Sequence, residues 1–234
     1  MKPNLVRIVA AFALVIASTS CRSTPNTELF QFAFLVRGDS TAQRTAEERS
    51  ATQAAHMGNI QRLADEKKLL IAGPFGEGNP HPEARGIFLF DTADEVKARE
   101  WTNSDPAVVQ RVLAMELCSL ATTPAVRRAY ELDQAMRAEL KSRGEEPGLA
   151  NTMRAYVMYF GRDPERSEHG LESARAAGKV VFGGVLAGSK RANYLAVLDA
   201  ETVDAAAGLL GECGEHELVV WWSTRALLGL NAAR

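Results

Sequence analysis

The chain has 234 residues, 46% hydrophobic and 24% charged, enough apolar content for one or two packed domains and too much for intrinsic disorder. Its 27 basic and 29 acidic residues leave a formal net charge of −2, so no polybasic footprint marks nucleic acid as a partner. Three cysteines make no disulfide framework, and no CxxC or HxxxH spacing marks a metal. Beyond the first 20 positions no apolar run approaches the ~18 residues of a membrane helix.

The N-terminus reads as an export signal. Met1 to Arg7 carries Lys2 and Arg7 and no acid, Ile8 to Ala17 is an unbroken apolar run, and Ser18-Thr19-Ser20-Cys21 closes it with small side chains. That order is a signal peptide over residues 1–20, and the run is too short to span a bilayer. A cysteine directly after the small residues resembles the bacterial lipobox, in which the thiol is acylated and becomes the mature N-terminus. Ser18 stands where that motif usually has leucine, which keeps ordinary cleavage after Ser20 as the alternative. The mature chain would carry 25 basic and 29 acidic residues, a net −4, with residues 21–27 as a polar tether. The expectation is a cell-envelope protein, lipid-anchored through Cys21 and facing the periplasm or the outside.

The body then repeats one pattern. Leu29 to Val36 is an aromatic and β-branched strand; Thr45 to Lys68 lacks proline and reads as a long helix. Leu69 to Pro74 is a short strand closed by turn residues, and Gly86 to Phe90 a third strand. Thr92 to Trp101 is a helix with Thr92 as N-cap and Glu95 at N3, and Val112 to Leu120 a fourth strand. Residues 122–152 form a connecting helix and linker. The order recurs as Arg154–Phe160, Pro164–Ala177, Lys179–Gly184, Tyr194–Leu198, Glu201–Leu210 and Val219–Thr224. Lys179 to Gly184 mirrors Lys68 to Gly73, and aligning Ala93–Val96 with Ala200–Val203 sets an offset of 107 that places Val112–Leu117 on Val219–Thr224.

Two βαββαβ units, residues 28–121 and a degenerate 153–230, predict an α+β protein built of ferredoxin-like folds. Strands such as Phe30–Val36 are apolar on both faces, so each unit needs a partner surface. The second unit is that partner, held close by the linker. The expected architecture is a pseudo-dimeric α+β barrel in one monomeric chain, two sheets face to face, as fusion of a homodimer would produce.

Two residues carry candidate chemistry. His56 lies in the long helix with Ile60 and Leu63 at i+4 and i+7, on an apolar face. Asp105-Pro106 follows the second helix in a loop, where a carboxylate can project toward a pocket. A neutral imidazole oriented by a carboxylate can serve as general base. His56, the Leu69–Pro74 strand ending Ala-Gly-Pro, and Asp105-Pro106 together resemble the YCII-related domain over about residues 29–120. That resemblance implies dimeric α+β barrels with the equivalent His and Asp as an active-site pair at the dimer cleft. It also implies, from one branch of the family, dehydrochlorination of ring-cleavage products. Carried over, His56 would accept the proton and Asp105 would orient it or act as the acid. Arg49, on the same helix face seven residues earlier, would bind an anionic substrate group.

The second unit lacks the pair. Alignment puts Ser167 near the His56 position, displaces His169 by two residues (about 200° around a helix), and sets Glu212-Cys213 against Asp105-Pro106. Cys118 reads as a packed core thiol. GPFGEG over 73–78 has no helix behind it to cradle phosphate, and no haem, flavin, metal or GxSxG motif is present. The expected partner is a small molecule with no cofactor, handled either by an acid–base enzyme of lyase or hydrolase type or by a binding module that kept only the barrel.

Overall fold

The structure, a computed structural model, describes residues 26–231; the signal-peptide reading and Cys21 lie outside them. The first half runs β1 (Glu28–Arg37), α1 (Ala46–Asp65), β2 (Leu69–Pro74), β3 (Ala84–Phe90), α2 (Glu95–Asn103), α3 (Pro106–Val109) and β4 (Leu113–Thr122). A 3-10 turn, Pro124–Arg128, leads into α4 (Ala129–Ser142) and the single turn α5 (Leu149–Thr152). The second half runs β5 (Met153–Gly161), α6 (Pro164–Gly170), α7 (Glu172–Ala176), β6 (Val180–Ala187), β7 (Tyr194–Leu198), α8 (Val203–Ala207) and β8 (His216–Thr224), then a 3-10 turn, Arg225–Leu230. No helix among the described residues is long and apolar enough to cross a membrane.

All eight strands join one antiparallel sheet in the order β2-β3-β1-β4-β6-β7-β5-β8. Each half contributes the ferredoxin-like order, and the sheet curls until β8 meets β2. The expected α+β barrel is present, although as one continuous sheet rather than two facing ones. Alternation along the strands sorts the core. Phe30, Phe32, Phe34 and Val36 point into the barrel with Ile87, Leu89, Tyr156, Met158, Val197 and Trp221. The intervening Ala33 and Leu35 join Phe88, Phe90, Leu63 and Ala98 in an outer layer beneath α1 and α2. A second outer layer, with Val157, Tyr159, Tyr194, Leu171 and Ala206, packs under α6 to α8. Val126, Ala129, Leu227 and Leu230, with Leu132 of α4 against them, belong to the barrel cluster. The connecting segment therefore packs against the barrel rather than merely spanning two units.

The two joints between halves obey one geometry. Across the first, Ser119, Leu120 and Ala121 of β4 pair with Ala187, Leu186 and Val185 of β6. Across the second, Phe75 bridges Trp221 and Gly76 N donates to Val220 O at 2.7 Å. Thr122 Oγ1 donates to Gly183 O at 2.9 Å, and its counterpart Ser223 Oγ donates to Ala72 O at 3.1 Å. A Cβ on Gly184 would come within 1.8 Å of Ala121 O, and one on Gly73 within 2.0 Å of Trp222 O. Only glycine lets these strands approach so closely, which is why the mirrored segments both end in Gly.

Several boundaries move. α1 begins at Ala46 with Thr45 as cap, in a capping box with Glu48. The cap of α2 is Asp94 rather than Thr92; its carboxylate accepts from Val96 N at 2.8 Å. The segment Pro164–Ala177 breaks into two short helices at Leu171. The offset of 107 does not extend to the last strands. Gln31 pairs with Phe90 and Ser119, and its counterpart Val157 pairs with Leu198 and Val220, so β4 and β8 correspond 101 positions apart. The shortfall lies in α8, five residues against the nine of α2, and in the lack of any counterpart of α3 between α8 and β8.

Candidate functional site

His56 Nδ1 lies 2.7 Å from Asp105 Oδ2. Local structure explains the meeting. Asp105 is the N-cap of α3: its Oδ1 accepts from Ala107 N at 2.8 Å, and Pro106 occupies the first helical position, where its missing N–H costs nothing. The carboxylate is wholly buried. Asn59 Nδ2 adds a longer contact to Oδ2, 3.4 Å. The carboxylate is placed to accept from Nδ1, which leaves Nε2 as the ring nitrogen turned to the cleft side. The imidazole stacks on Phe88 of β3, with centroids 6.0 Å apart and planes 10° off parallel.

The buried stripe of α1 is Thr52, His56, Asn59 and Leu63, three polar residues out of four. Each polar member has partners. Thr52 Oγ1 donates to Gln110 Oε1 at 2.9 Å, and Asn59 Oδ1 accepts from Arg62 Nη2 at 2.7 Å and Ser104 Oγ at 3.2 Å. Sequence reading missed Thr52, Asn59, Ser104, Gln110 and Phe88. The first two stand at i−4 and i+3 from His56, a spacing that could have flagged them. Ile60, expected on the His56 face, is only half-buried, and Met57 is 50% exposed.

The dyad sits on the outer face of the first half's sheet, under α1, and not inside the barrel. A cleft of about 1040 Å³ reaches it from the side, with His56, Met57 and Ile60 of α1, Leu35, Phe88 and β2 among its walls. Its far end is lined by Tyr130 and Asp133 of α4 and by Ser223 and Thr224 of β8. The cleft thus spans both halves along the outside of β2, whereas the His/Asp contact belongs to the first half alone. His56 Nε2 has no protein hydrogen bond and is not among the sealed, unpartnered polar atoms of the described residues.

Arg49 lines this cleft, but its Nη1 donates to Arg44 O at 2.5 Å, tying it to the chain just before the helix. In the second half, Tyr159 stands where the register of the first half has Ala33. Its ring stacks on His216 at 5.1 Å, and its hydroxyl meets Ser167 Oγ at 2.9 Å and Cys213 O at 3.3 Å. Ser167 is buried, while Glu212 and His169 are exposed. A tyrosine therefore fills the space the dyad occupies in the first half. Burial pushes its hydroxyl up to about 12. His81 bridges the halves instead, its Nε2 2.8 Å from Glu217. Cys118 is buried in the barrel, and burial pushes its thiol up to about 12, far from reactivity. Trp221 is buried and Trp222 is 44% exposed, as adjacent strand residues must be. No cluster of three or more His, Cys, Asp or Glu among the described residues could hold a metal ion.

Comparison with solved structures finds chlorite dismutases from Candidatus Nitrospira defluvii. A tryptophan variant in complex with cyanide has 13% identity and a TM-score of 0.50, covering 87% of this chain and 92% of that one. An arginine-to-lysine variant has 15% identity and a TM-score of 0.49, covering 87% and 94%. A putative monooxygenase from Lactobacillus acidophilus has 11% identity and a TM-score of 0.42, covering 86% and 97%. At such identities the likeness concerns the fold alone. No curated protein matches the chain. The YCII-related domain family model matches residues 30–115, so the half of the barrel that holds both His56 and Asp105 carries a YCII-related domain.

Proposed function

We propose that the cleft beside His56 is a small-molecule site in which His56 acts as general base and Asp105 positions it. The observation that carries this reading is the 2.7 Å contact between Nδ1 and a fully buried carboxylate, with the other ring nitrogen left unpaired beside a cleft. Asp105 fixes the tautomer, so Nε2 is the atom that takes a proton from carbon or from a bound water, in lyase or hydrolase chemistry. The stacked Phe88 ring and the α1 stripe hold the imidazole plane. The proton-transfer test needs no known substrate. Small carboxylic acids with an acidic C–H beside a carbonyl are incubated with the protein in D2O, and deuterium uptake is read by NMR. Wild type exchanges at least one of them and His56→Ala exchanges none; equal exchange by both removes His56 as the base.

A second reading has its own observation. Both Asp105 oxygens already serve the fold, one capping α3 and the other tying it to α1. On that reading the dyad is a brace, and the protein is a binding or scaffolding module that kept the barrel without a reaction. We further propose that the chain is exported and anchored to the membrane through lipidated Cys21. The order of charged, apolar and small residues before that cysteine supports this.

A further inference from the structure

The cleft's charge is lopsided. Six arginines line it, Arg37, Arg44, Arg49, Arg85, Arg111 and Arg137, against one acid, Asp133, in a chain of net charge −2. Four of the six are already engaged. Arg44 donates to Gln110 O at 3.0 Å, Arg49 to Arg44 O at 2.5 Å, Arg111 to Asp39 Oδ1 at 2.6 Å and Arg137 to Asp133 Oδ2 at 2.6 Å. The guanidinium groups of Arg37 and Arg85 have no hydrogen bond, ion pair or ring contact within the described residues.

These two are neighbours. β1 and β3 pair Leu35 with Gly86 and Val36 with Ala84, so Arg85 is the extra residue of a bulge, a device that re-aims a side chain out of the regular ladder. Arg37 closes β1 beside it, its N–H donating to Glu83 O at 2.7 Å. The same cleft is walled by Leu35, Phe88, Met57 and Ile60 and by His56, which stacks on Phe88. Two unpaired guanidinium groups from adjacent strand positions, an apolar wall and a proton acceptor in one cleft fit a small organic anion bound by its charged end.

We propose that Arg37 and Arg85 are the anion anchor of the cleft and that its ligand is a small carboxylate with an apolar body. The proposal rests on reading the His56 cleft as the ligand site, and it moves the anionic contact from Arg49, whose guanidinium holds its own chain.

The test is titration calorimetry with benzoate and hexanoate against their neutral amides, benzamide and hexanamide, and against inorganic phosphate. At least one carboxylate binds tenfold or more tightly than its amide and than phosphate. Arg37→Gln and Arg85→Gln each weaken that carboxylate fivefold or more, and the double variant binds it no better than the amide. Arg49→Gln stays within twofold of wild type. Circular dichroism confirms that the variants fold. Equal binding of carboxylate and amide, binding of neither, or indifference to both substitutions overturns the anchor; phosphate equal to the carboxylate overturns the apolar body. His56→Ala keeps the carboxylate affinity within threefold. Binding without deuterium exchange therefore removes the base and keeps the anchor, and exchange without arginine dependence does the reverse.

Discussion

Asp105→Ala separates the structural from the chemical role of the dyad. The side chain is fully buried and supports three contacts: Ala107 N at 2.8 Å, His56 Nδ1 at 2.7 Å and Asn59 Nδ2 at 3.4 Å. Loss of the N-cap costs about 1 kcal/mol. His56 Nδ1–H and Asn59 Nδ2 then lose their acceptor, and orphaned buried donors cost about 1–3 kcal/mol each. The Asn59 contact is long and belongs at the low end of that range, so the total is about 3–5 kcal/mol. His56→Ala leaves the carboxylate with its cap and Asn59 and removes the ring from Phe88, for about 2–3 kcal/mol. Because the two changes delete one shared contact, the double variant falls short of their sum by about 1.5–2 kcal/mol. Urea unfolding followed by far-ultraviolet circular dichroism and by the fluorescence of Trp101, Trp221 and Trp222 gives all four corners of the cycle. A cost below 1 kcal/mol for Asp105→Ala, or additive single variants, would refute the coupling read from the 2.7 Å contact.

Gly184→Ala forces a Cβ to within 1.8 Å of Ala121 O and should cost about 2–3 kcal/mol through strand displacement, measured as a fall in Tm. Gly208→Ala, at φ −65° with no neighbour nearer than 3.6 Å, is the control and should be neutral or stabilising by up to about 1 kcal/mol. For the anchor, Cys21→Ala should move the chain from the membrane to the soluble fraction and abolish fatty-acid labelling; a wild-type chain already soluble in the envelope would mean ordinary cleavage after Ser20.

The strands were legible because apolar aromatic and β-branched runs such as Phe30–Val36, and turn residues such as Gly73-Pro74, are local signals. His56 and Asp105 were legible as a pair through a motif, although nothing local says that their side chains touch. What sets the contact is α3, four residues long, too short to leave a periodic trace. The failed alignment of the last strands has a related cause: α8 is four residues shorter than α2 and no counterpart of α3 follows it. The buried face of α1 turns toward Thr52 and Asn59 rather than Ile60 because their partners, Gln110 and Ser104, flank α3 on either side. Arg37 and Arg85 escaped notice because a strand end and a bulge aim them, and both depend on register between strands rather than on composition. The Tyr159 plug was hidden likewise, since it fills its space from a strand and not from the helix that aligns with α1.

The second seam has a consequence for how the chain folds. Ser223 and Ala72 are 151 positions apart, while each half assembles its other strand pairs from much nearer segments. Closure of β8 onto β2 therefore pays the largest loop entropy of any joint in the sheet, and it belongs late in folding. Until then both strands present unpaired backbone edges, β2 with Leu70 and Ile71 and β8 with Val219 and Trp221, the kind of surface through which copies of a chain add to one another. Gly73 bears on this kinetic hazard as well as on packing. A side chain there would obstruct the one closure that removes both edges, so its substitution should raise the yield of aggregates on refolding at high protein concentration by more than its equilibrium cost implies.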